Sequence, residues 1–391
     1  MKKETNNTSR LIDPVELTSE LIKCPSVTPN DEGAIDLLDN TLTSMGFTCH
    51  QIEFQESGTK RVNNLYAEIG NGGKNFCFAG HSDVVPIGEG WNHDPFGGHV
   101  IDGKLFGRGA SDMKGAIASF ISAVGSYIEH HGLPRGTISL LITGDEEGPA
   151  INGTKKVLNW LKERNKKIDF CLVGEPTNPE KIGEMIKVGR RGSINAKLTA
   201  HGVQGHVAYP HLAKNPINIL HRLVSALISK TLDNGNEFFQ PSNLSLTSID
   251  VGNNATNVIP SDAHARFNIR FNNIYDKNSI NDWIKDTLNS VASENEYSLE
   301  TTVTGDSFLS RSNDYTDIVS NSIKNITGLK PDLSTTGGTS DARFIHEFCP
   351  VCEFGLIGKT MHKVNEFVNV NDLMILTNIY NDVLMNFFSL E

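Results

Sequence analysis

The chain has 391 residues, of which 38% are hydrophobic and 21% charged, a composition typical of a folded globular protein and not of a disordered one. This length exceeds what a single ordinary hydrophobic core holds, so we expect two or three domains. The formal net charge of -11 argues against nucleic acid and against an anionic membrane as partners.

The start of the chain and its cysteines bear on location. Two lysines precede Asp13, but no apolar segment of signal-peptide length does, and no run approaches the roughly 18 apolar residues of a membrane span. Cys77 and Cys171 lie inside apolar runs, as core cysteines do. Cys349 and Cys352 form a CxxC pair, but without a second pair a zinc or redox site is not favoured. We therefore expect a reduced, cytoplasmic protein.

The first half of the chain alternates predicted helices and strands. In chain order we expect helices at 13–23 and 31–45, strands at 62–69 and 75–80, a helix at 113–127, a strand at 137–143, a helix at 154–163 and a strand at 168–173. Strands that alternate with helices of this length indicate an α/β domain with a mostly parallel, helix-covered sheet.

The pattern changes after Lys187. Residues 193–200 alternate between apolar and polar side chains, as in a sheet with one solvated face. Next we expect a helix at 215–230, strands at 244–251 and 262–270, a helix at 279–292 and a strand at 297–303. This order of elements is that of a ferredoxin-like α+β domain. Helical patterns return at 314–325 and 371–388, so we expect an inserted domain at 189–304 within a larger domain formed by 1–188 and 305–391.

Side chains suited to metal binding follow four apolar runs. They are His81 with Asp83, the acidic triplet 145–147, Glu175 and His362. The carboxyl ends of strands form the edge where α/β proteins build their sites. Asp112 lies in a Gly-rich turn before a helix, where an ordinary N-cap would also fit. Each residue alone could be an ordinary edge or surface residue, but together they indicate a metal centre.

Spacing within these segments suggests a division of roles. His81 and Asp83 point to the same side of an extended segment, and a ligating histidine usually donates its second ring N–H to a carboxylate. The neighbours Glu146 and Glu147 repel each other unless a positive charge is near. A metal supplies that charge, so one carboxylate can bind it while the other takes a proton from water. Two histidines and at least three carboxylates suit a pair of ions about 3.5–4 Å apart better than one tetrahedral zinc.

Seven strings resemble the co-catalytic zinc amidohydrolases of the aminoacylase and carboxypeptidase kind: HSD, GRGASDMKG, DEEG, VGEPT, HGVQGHVAYPHLAKNP, GGTSDARFI and MHKVNEF. The resemblance runs from about residue 11 to the C-terminus. It implies a zinc-exopeptidase-like domain with an inserted lid and dimerisation domain. Within the group, the narrower strings are most similar to bacterial deacylases of lysine and diaminopimelate synthesis. Those enzymes hydrolyse N-succinyl-LL-2,6-diaminopimelate to succinate and LL-2,6-diaminopimelate.

The resemblance also implies a ligand set. Two Zn2+ ions would bind per subunit, and Co2+ could substitute at one or both positions. His81 and Glu175 would hold one ion. Glu147 and His362 would hold the other. Asp112 would bridge the two ions and would be followed by a cis peptide bond.

Three further residues receive catalytic roles from the resemblance. Asp83 would orient His81, and Glu146 would be the general base. His206 lies in the inserted domain and would reach the site of the partner subunit, where it would stabilise an oxyanion. The expected assembly is therefore a homodimer formed through the inserted domain.

Substrate contacts are expected on both domains. The candidates are Lys187, Arg190, Ser193, Tyr209, Asn257, Arg270, Gly338 and Thr339. The implied substrate carries three carboxylates, which basic side chains recognise well. Any one of these arginines could instead be an ordinary surface charge.

Several alternatives compete with this hypothesis. A related deacylase or peptidase, such as an acetylornithine deacetylase or a dipeptidase, would keep the same fold and centre. A non-catalytic binding module would require the loss of a ligand or of the base, and no matched position is lost. A phosphate-binding loop at 355–360 is rejected, because Glu353 stands where a glycine is needed. The motifs of serine hydrolases and single-zinc proteases do not occur.

Overall fold

The computed structural model describes residues 11–310 and 314–389, which form two compact units. The second unit comprises Gly189–Leu309 and Thr335–Thr339, and the remaining described residues form the first. The structural division thus lies at Gly189 and Leu309, compared with 189 and 304 from the sequence. The expectation of no leader segment rests partly on residues 1–10, which lie outside the described residues.

The first unit begins with two helices and continues as alternating strands and helices. In chain order these are α1 (Pro14–Ile22), α2 (Ala34–Ser44), β1 (Thr48–Phe54), β2 (Val62–Gly70), β3 (Asn75–His81), β4 (His99–Ile101), β5 (Lys104–Phe106), α3 (Gly115–His131), β6 (Thr137–Thr143), α4 (Thr154–Glu163), β7 (Phe170–Val173) and β8 (Met185–Lys187). The expected elements of this half are present, with bounds that differ by a few residues.

The second unit holds the next group of elements. They are β9 (Gly189–Arg190), β10 (Gly192–His201), β11 (Gly205–His206), α5 (Pro216–Ser229), β12 (Asn243–Asp250), β13 (Val258–Ile259), β14 (Asp262–Phe271), α6 (Lys277–Asn289), β15 (Tyr297–Gly305) and β16 (Phe308–Leu309). The chain then returns to the first unit with α7 (Asp314–Thr327), β17 (Asp332–Ser334), α8 (Ala342–Ile345), β18 (Val351–Glu353), β19 (Phe367–Asn369) and α9 (Val370–Phe388).

Within the described residues, eight strands form the central sheet of the first unit, in the order β1-β2-β6-β3-β7-β18-β8-β17. The four central strands β6, β3, β7 and β18 are parallel, and so are β8 and β17. The expected α/β class with a mostly parallel central sheet is confirmed. The antiparallel pairing of β1 with β2 was not predicted. Only Ile52 of strand β1 is buried, so the sequence of β1 lacks the apolar run that marks a buried strand.

The core of the first unit explains the long apolar runs. Strand β3 is buried along its whole length, as expected for a central strand covered on both faces. The rings of Phe78 on β3 and Phe120 on α3 stack with centroids 4.4 Å apart. Tyr380 on α9 packs edge-on against both rings and donates its hydroxyl hydrogen to the carbonyl of Phe354. This packing fixes the strands whose carboxyl ends carry the candidate ligands.

The second unit has a four-stranded antiparallel sheet in the order β12-β14-β10-β15. This is the ferredoxin-like order, and α5 and α6 contribute buried side chains to the same core as β10 and β14. Side-chain caps begin both helices: Asn215 accepts the N–H of Ile217, and Asp276 forms a capping box with Ser279.

The cysteines occupy ordinary positions. All six are unbridged. Cys349 and Cys352 are buried, and burial raises the pKa of both thiols, so neither is a ready thiolate. Separately, none of the helices within residues 11–310 and 314–389 is long and apolar enough to span a membrane.

Candidate metal centre

Strand register brings three of the predicted segments together. Parallel pairing places His81 at the end of β3 beside Thr143 at the end of β6, and Ala79 beside Val173 at the end of β7. The acidic triplet follows β6 and Glu175 follows β7, so all three segments leave the same edge of the sheet. The sheet itself therefore gathers side chains that are almost 100 residues apart in sequence.

His362 reaches this edge in a different way. The grouping of His362 with the strand ends predicts a strand up to this residue, and that prediction is wrong. Strand β18 ends at Glu353, and a short 3-10 turn at Gly358–Thr360 lies between. His362 itself lies in a loop with a φ of 60°, in the left-handed region, and its side chain is half exposed. A loop, and not a strand end, presents this imidazole.

Two groups of donor atoms share Asp112. His81 Nε2 lies 3.2 Å from Asp112 Oδ1 and 3.9 Å from Glu175 Oε1. His362 Nε2 lies 3.2 Å from Asp112 Oδ2 and 2.8 Å from Glu147 Oε1. Within each group the candidate ligand atoms lie within 4.8 Å of one another. The two oxygens of Asp112 thus face two different histidines.

This donor set fits two divalent ions. A tetrahedral zinc with bonds of about 2.0–2.1 Å places its ligand atoms about 3.4 Å apart, close to the spacing of the two groups. Each group supplies three protein ligands of the histidine and carboxylate kind, which leaves a coordination position open, as in catalytic zinc sites. Among the described residues, the five predicted ligands are those that form the groups.

Protonation of the two histidines reflects the surrounding carboxylates. Burial lowers the pKa of His81, but the hydrogen bond and charge of Asp112 outweigh it, so the pKa lies well above its ordinary value. Hydrogen bonds to Asp112 and Glu147 raise the pKa of His362 to about 10. Burial raises the pKa of Asp112, but the hydrogen bonds from both rings outweigh it and hold this pKa below its ordinary value. Zinc binds the neutral imidazole, so metal binding must displace any proton that these rings share with the carboxylates.

The backbone around Asp112 is not that of a helix N-cap. The peptide bond between Asp112 and Met113 is cis, which confirms the expectation drawn from the resemblance. Helix α3 begins at Gly115, and both Asp112 and Met113 have non-helical angles. Gly109 precedes the turn with a φ of 87°, and a Cβ there would lie 2.7 Å from Val84 Cγ1. The turn therefore requires glycine at this position.

Asp83 makes different contacts from those expected. The Nδ1 atom of His81 lies 2.9 Å from the main-chain oxygen of Asp83 and 3.7 Å from its carboxylate. The Asp83 carboxylate instead accepts the main-chain N–H groups of Glu146 and Glu147, at 3.2 and 3.1 Å. The backbone of Asp83 thus orients the imidazole, whereas its side chain holds the segment that carries the predicted base and a ligand.

The acidic triplet divides its functions. Burial raises the pKa of Glu146 well above its ordinary value, and the charge of Glu175 raises it further. A raised pKa suits a group that takes and returns a proton near neutral pH. Asp145 points elsewhere: its carboxylate accepts the main-chain N–H groups of residues 150, 151 and 152. It stabilises the loop and, among the described residues, belongs to neither group of candidate ligands.

In the second unit, His206 lies beside two of the predicted substrate contacts. Its ring centroid is 5.8 Å from that of Tyr209, and the neighbouring Val207 N–H donates to the Asn257 carbonyl at 3.1 Å. The side chain of His206 is exposed. Its Nδ1 accepts the N–H of Ala208 at 3.1 Å, so the neutral ring carries its hydrogen on Nε2, where it can be donated.

A second set of predicted substrate contacts gathers around Arg190 and Arg270. Arg190 Nη1 donates to the carbonyl of Gly338 at 3.1 Å. Ser193 on β10 pairs with Arg270 on β14. Burial lowers the pKa of Arg270, and the charge of Arg191 lowers it further. Arg270 Nη1 is buried without a hydrogen-bond partner among the described residues, an arrangement that an anion would stabilise.

Lys187 and Thr339 are the remaining predicted contacts. Lys187 belongs to the first unit, where it is buried and its Nζ lies 3.1 Å from Ser334 Oγ. Thr339 is partly buried in the short segment that belongs to the second unit.

Sequence reasoning missed two buried charged residues beside the ligands. Arg108 and Glu366 form an ion pair of 2.8 Å, and Glu366 accepts main-chain N–H groups of the segment that ends at Asp112. Both lie inside strings that carry the resemblance, so their placement next to ligands was a usable signal. The presence of a charged residue in a motif does not reveal that its side chain is buried.

Two curated bacterial proteins are similar to this chain over almost its whole length. Succinyl-diaminopimelate desuccinylase of Rhodospirillum centenum is 57% identical over 379 residues, which covers 96% of this chain and 98% of that protein. The protein with the same name from Rhodospirillum rubrum is 52% identical and covers 97% of this chain and 99% of its own length.

A solved structure and a family profile also match this chain. A crystal structure of an M20 family metallo-carboxypeptidase from Sulfolobus solfataricus has a TM-score of 0.77 at 18% identity, covering 97% of this chain and 100% of that chain. The sequence profile of peptidase family M20/M25/M40 matches residues 77–386, more than half of the chain. With the shared carboxylate and its two flanking histidines, these similarities show that the chain belongs to peptidase family M20/M25/M40.

Proposed function

We propose that this protein hydrolyses N-succinyl-LL-2,6-diaminopimelate to succinate and LL-2,6-diaminopimelate, the activity for which its 57% identical relative is named. The observation that carries the proposal is Asp112, whose two oxygens face His81 and His362. The six free cysteines fit a reducing compartment, so we propose the cytoplasm as the location.

The proposed cofactor is a pair of Zn2+ ions, which Co2+ can replace. His81 and Glu175 would hold one ion with Asp112 Oδ1. His362 and Glu147 would hold the other with Asp112 Oδ2. When bound, such ions would supply Lewis acidity, which polarises the amide carbonyl and lowers the pKa of the attacking water.

Glu146 performs the proton transfers in this proposal. Its carboxylate takes a proton from the attacking water as the new C–O bond forms at the succinyl carbonyl carbon. When the C–N bond breaks, the same carboxyl group returns the proton to the nitrogen of the leaving amine. The main-chain N–H of Glu146 donates to the Asp83 carboxylate, and this bond keeps the Glu146 side chain in place during both transfers.

Substrate recognition in this proposal depends on the anionic groups of the substrate. Among the described residues, Nη1 of Arg270 is buried and has no hydrogen-bond partner. The guanidinium of Arg191 lies close enough to lower the pKa of Arg270. Two neighbouring guanidinium groups favour a carboxylate between them.

A substrate panel tests the proposed function. We expect kcat/KM for succinyl-diaminopimelate to exceed that for acetylornithine and for a neutral dipeptide by at least about 100-fold, because each of those compounds carries one carboxylate in place of three and leaves buried basic groups unpaired. The rate of amine release is measured for all three compounds with the zinc-loaded protein. A preference for acetylornithine or for the dipeptide would replace the proposed substrate while leaving the metal centre in place.

The proposed assembly is a homodimer through the second unit. Val203, Val207, Tyr209 and Leu212 are exposed apolar side chains close in sequence to His206. A cluster of this kind is typical of a surface that a partner covers. In the dimer, Nε2–H of His206 would stabilise the oxyanion in the site of the partner subunit.

Mixing two inactive variants tests the shared site. His206→Ala and Glu146→Gln each disable every site of their own homodimer. A hybrid dimer has one site with both residues intact, so random exchange of subunits should restore about a quarter of the wild-type activity. The activity of the mixture is compared with that of each variant alone. A mixture that exchanges subunits but stays inactive would rule out a histidine donated by the partner subunit.

A further inference from the structure

Glu366 is a fully buried carboxylate at the turn that carries Asp112. Its Oε1 accepts the main-chain N–H groups of Ser111 and Asp112, at 2.9 and 3.1 Å. Its Oε2 accepts the N–H of Gly109 at 3.1 Å and a hydrogen from Arg108 Nη1 at 2.8 Å. One side chain therefore satisfies three main-chain donors of a single turn.

Arg108 extends this network to two other segments. Its Nη1 also donates to the carbonyl of Lys363 at 2.9 Å, next to His362. Its Nη2 donates to the carbonyls of Pro86 and Ile87, at 3.2 and 3.1 Å. The guanidinium lies over the Trp91 ring, 5.2 Å from its centroid, and the side chain is 2% exposed.

The turn needs such an acceptor for a physical reason. Its Asp112 and Met113 have non-helical backbone angles, so the N–H groups before α3 find no regular helical partners. A buried N–H without an acceptor is costly, and so is a buried carboxylate without donors. The Glu366 carboxylate gives these N–H groups an acceptor and gains donors for its own oxygens, and the positive charge of Arg108 balances its negative charge.

We propose that Glu366, held by Arg108, is a positioning residue for the metal centre. It fixes the main chain at 109–112, while Arg108 fixes the carbonyl next to His362, so that two ligands from distant segments are in place before any ion binds. This inference rests on the proposed metal centre, but it does not depend on the identity of the substrate.

The test is metal affinity in Glu366→Gln. The amide keeps the shape of the side chain, but it has one acceptor oxygen in place of two and brings an NH2 group towards N–H donors. We expect zinc to bind the metal-free variant about 10- to 100-fold more weakly than it binds the wild-type chain. Calorimetric titration of metal-free protein with Zn2+ measures this. Amide hydrogen exchange at 109–112, also without metal, should become faster.

Asp169→Asn is the matched control. Asp169 also accepts a main-chain N–H, that of Asn75 at 2.7 Å, but it does so at the amino ends of β7 and β3, away from the ligands. Both variants should unfold at a lower temperature than the wild-type chain, because each replaces main-chain hydrogen bonds to a charged carboxylate by weaker bonds to a neutral amide. Only Glu366→Gln should lose metal affinity. Wild-type affinity in folded Glu366→Gln, or an equal loss in Asp169→Asn, would overturn the positioning role.

A second variant covers the case in which Glu366→Gln does not fold. Arg108→Gln with Glu366→Gln removes both buried charges, so no unpaired ion remains. This double variant should fold and bind zinc about 10- to 100-fold more weakly than the wild-type chain. Wild-type affinity there would reject the inference. A wild-type chain that binds no zinc would reject the metal centre itself, which is a distinguishable outcome.

Discussion

Glu146→Gln is expected to lower kcat by about 10²- to 10⁴-fold, the usual contribution of a positioned general base. Glutamine has nearly the same shape but cannot take a proton from water. Glu146 is no member of the two ligand groups, so both ions should remain bound. The measurements are kcat and the zinc content per subunit of the purified variant. Undiminished turnover with two bound ions would remove Glu146 from the mechanism.

Asp145→Asn is the contrasting variant for this experiment. Asp145 lies next to Glu146 in sequence, but its carboxylate accepts main-chain N–H groups of residues 150–152. Asparagine has one acceptor oxygen in place of two, so the loop loses hydrogen bonds and the midpoint of thermal unfolding should fall. The base and the ligands remain, so the zinc content should stay at two ions. A loss of zinc from Asp145→Asn would mean that the loop, and not the individual carboxylates, governs the centre.

Asp112→Ala is expected to empty both metal positions. Asp112 is the residue common to the two groups, and its removal leaves each with one histidine and one glutamate. Two ligands hold zinc poorly compared with three. The zinc affinity should therefore fall by more than the 10- to 100-fold loss that is typical when a residue hydrogen-bonded to a ligand is removed. Zinc content after dialysis and kcat/KM with added zinc are measured. Retention of two ions would show that Asp112 does not bridge.

His362→Ala separates the two positions. It removes one ligand from the group with Glu147 but leaves His81, Asp112 and Glu175 intact. One ion per subunit should therefore remain after dialysis, with turnover strongly reduced. The difference between one retained ion in His362→Ala and none in Asp112→Ala identifies the shared ligand. Equal loss in both variants would indicate that the ions bind only as a pair.

The sequence predicts most of the regular elements and the ligand-bearing segments. Buried strands such as β3 and β7 are continuous apolar runs, so their ends at His81 and before Glu175 are visible in the letters alone. The edge strand β1 is not, because it has few side chains to bury. The end of the run before His362 was misplaced, since a strand, a loop and a 3-10 turn can share one apolar composition.

Contacts within the centre were harder to predict. Period-two spacing suggested that the Asp83 carboxylate contacts the ring of His81, but the main-chain oxygen makes the closer contact. The carboxylate accepts two main-chain donors from the acidic triplet instead. Every residue except proline has a main-chain donor, so the sequence does not show which donors a carboxylate will contact. That depends on the packing of loops.

The sequence by itself determined the alternation of strands and helices, the acidic composition and the residue types suited to a metal, because these depend on local pattern and side-chain chemistry. Only the tertiary structure decided that one oxygen of Asp112 faces His81 and the other His362, and that Glu366 and Arg108 hold the turn between them. These contacts join residues about 30 to 260 positions apart. They exist because parallel register and loop packing, which no short stretch of sequence encodes, bring those positions to one edge of the sheet.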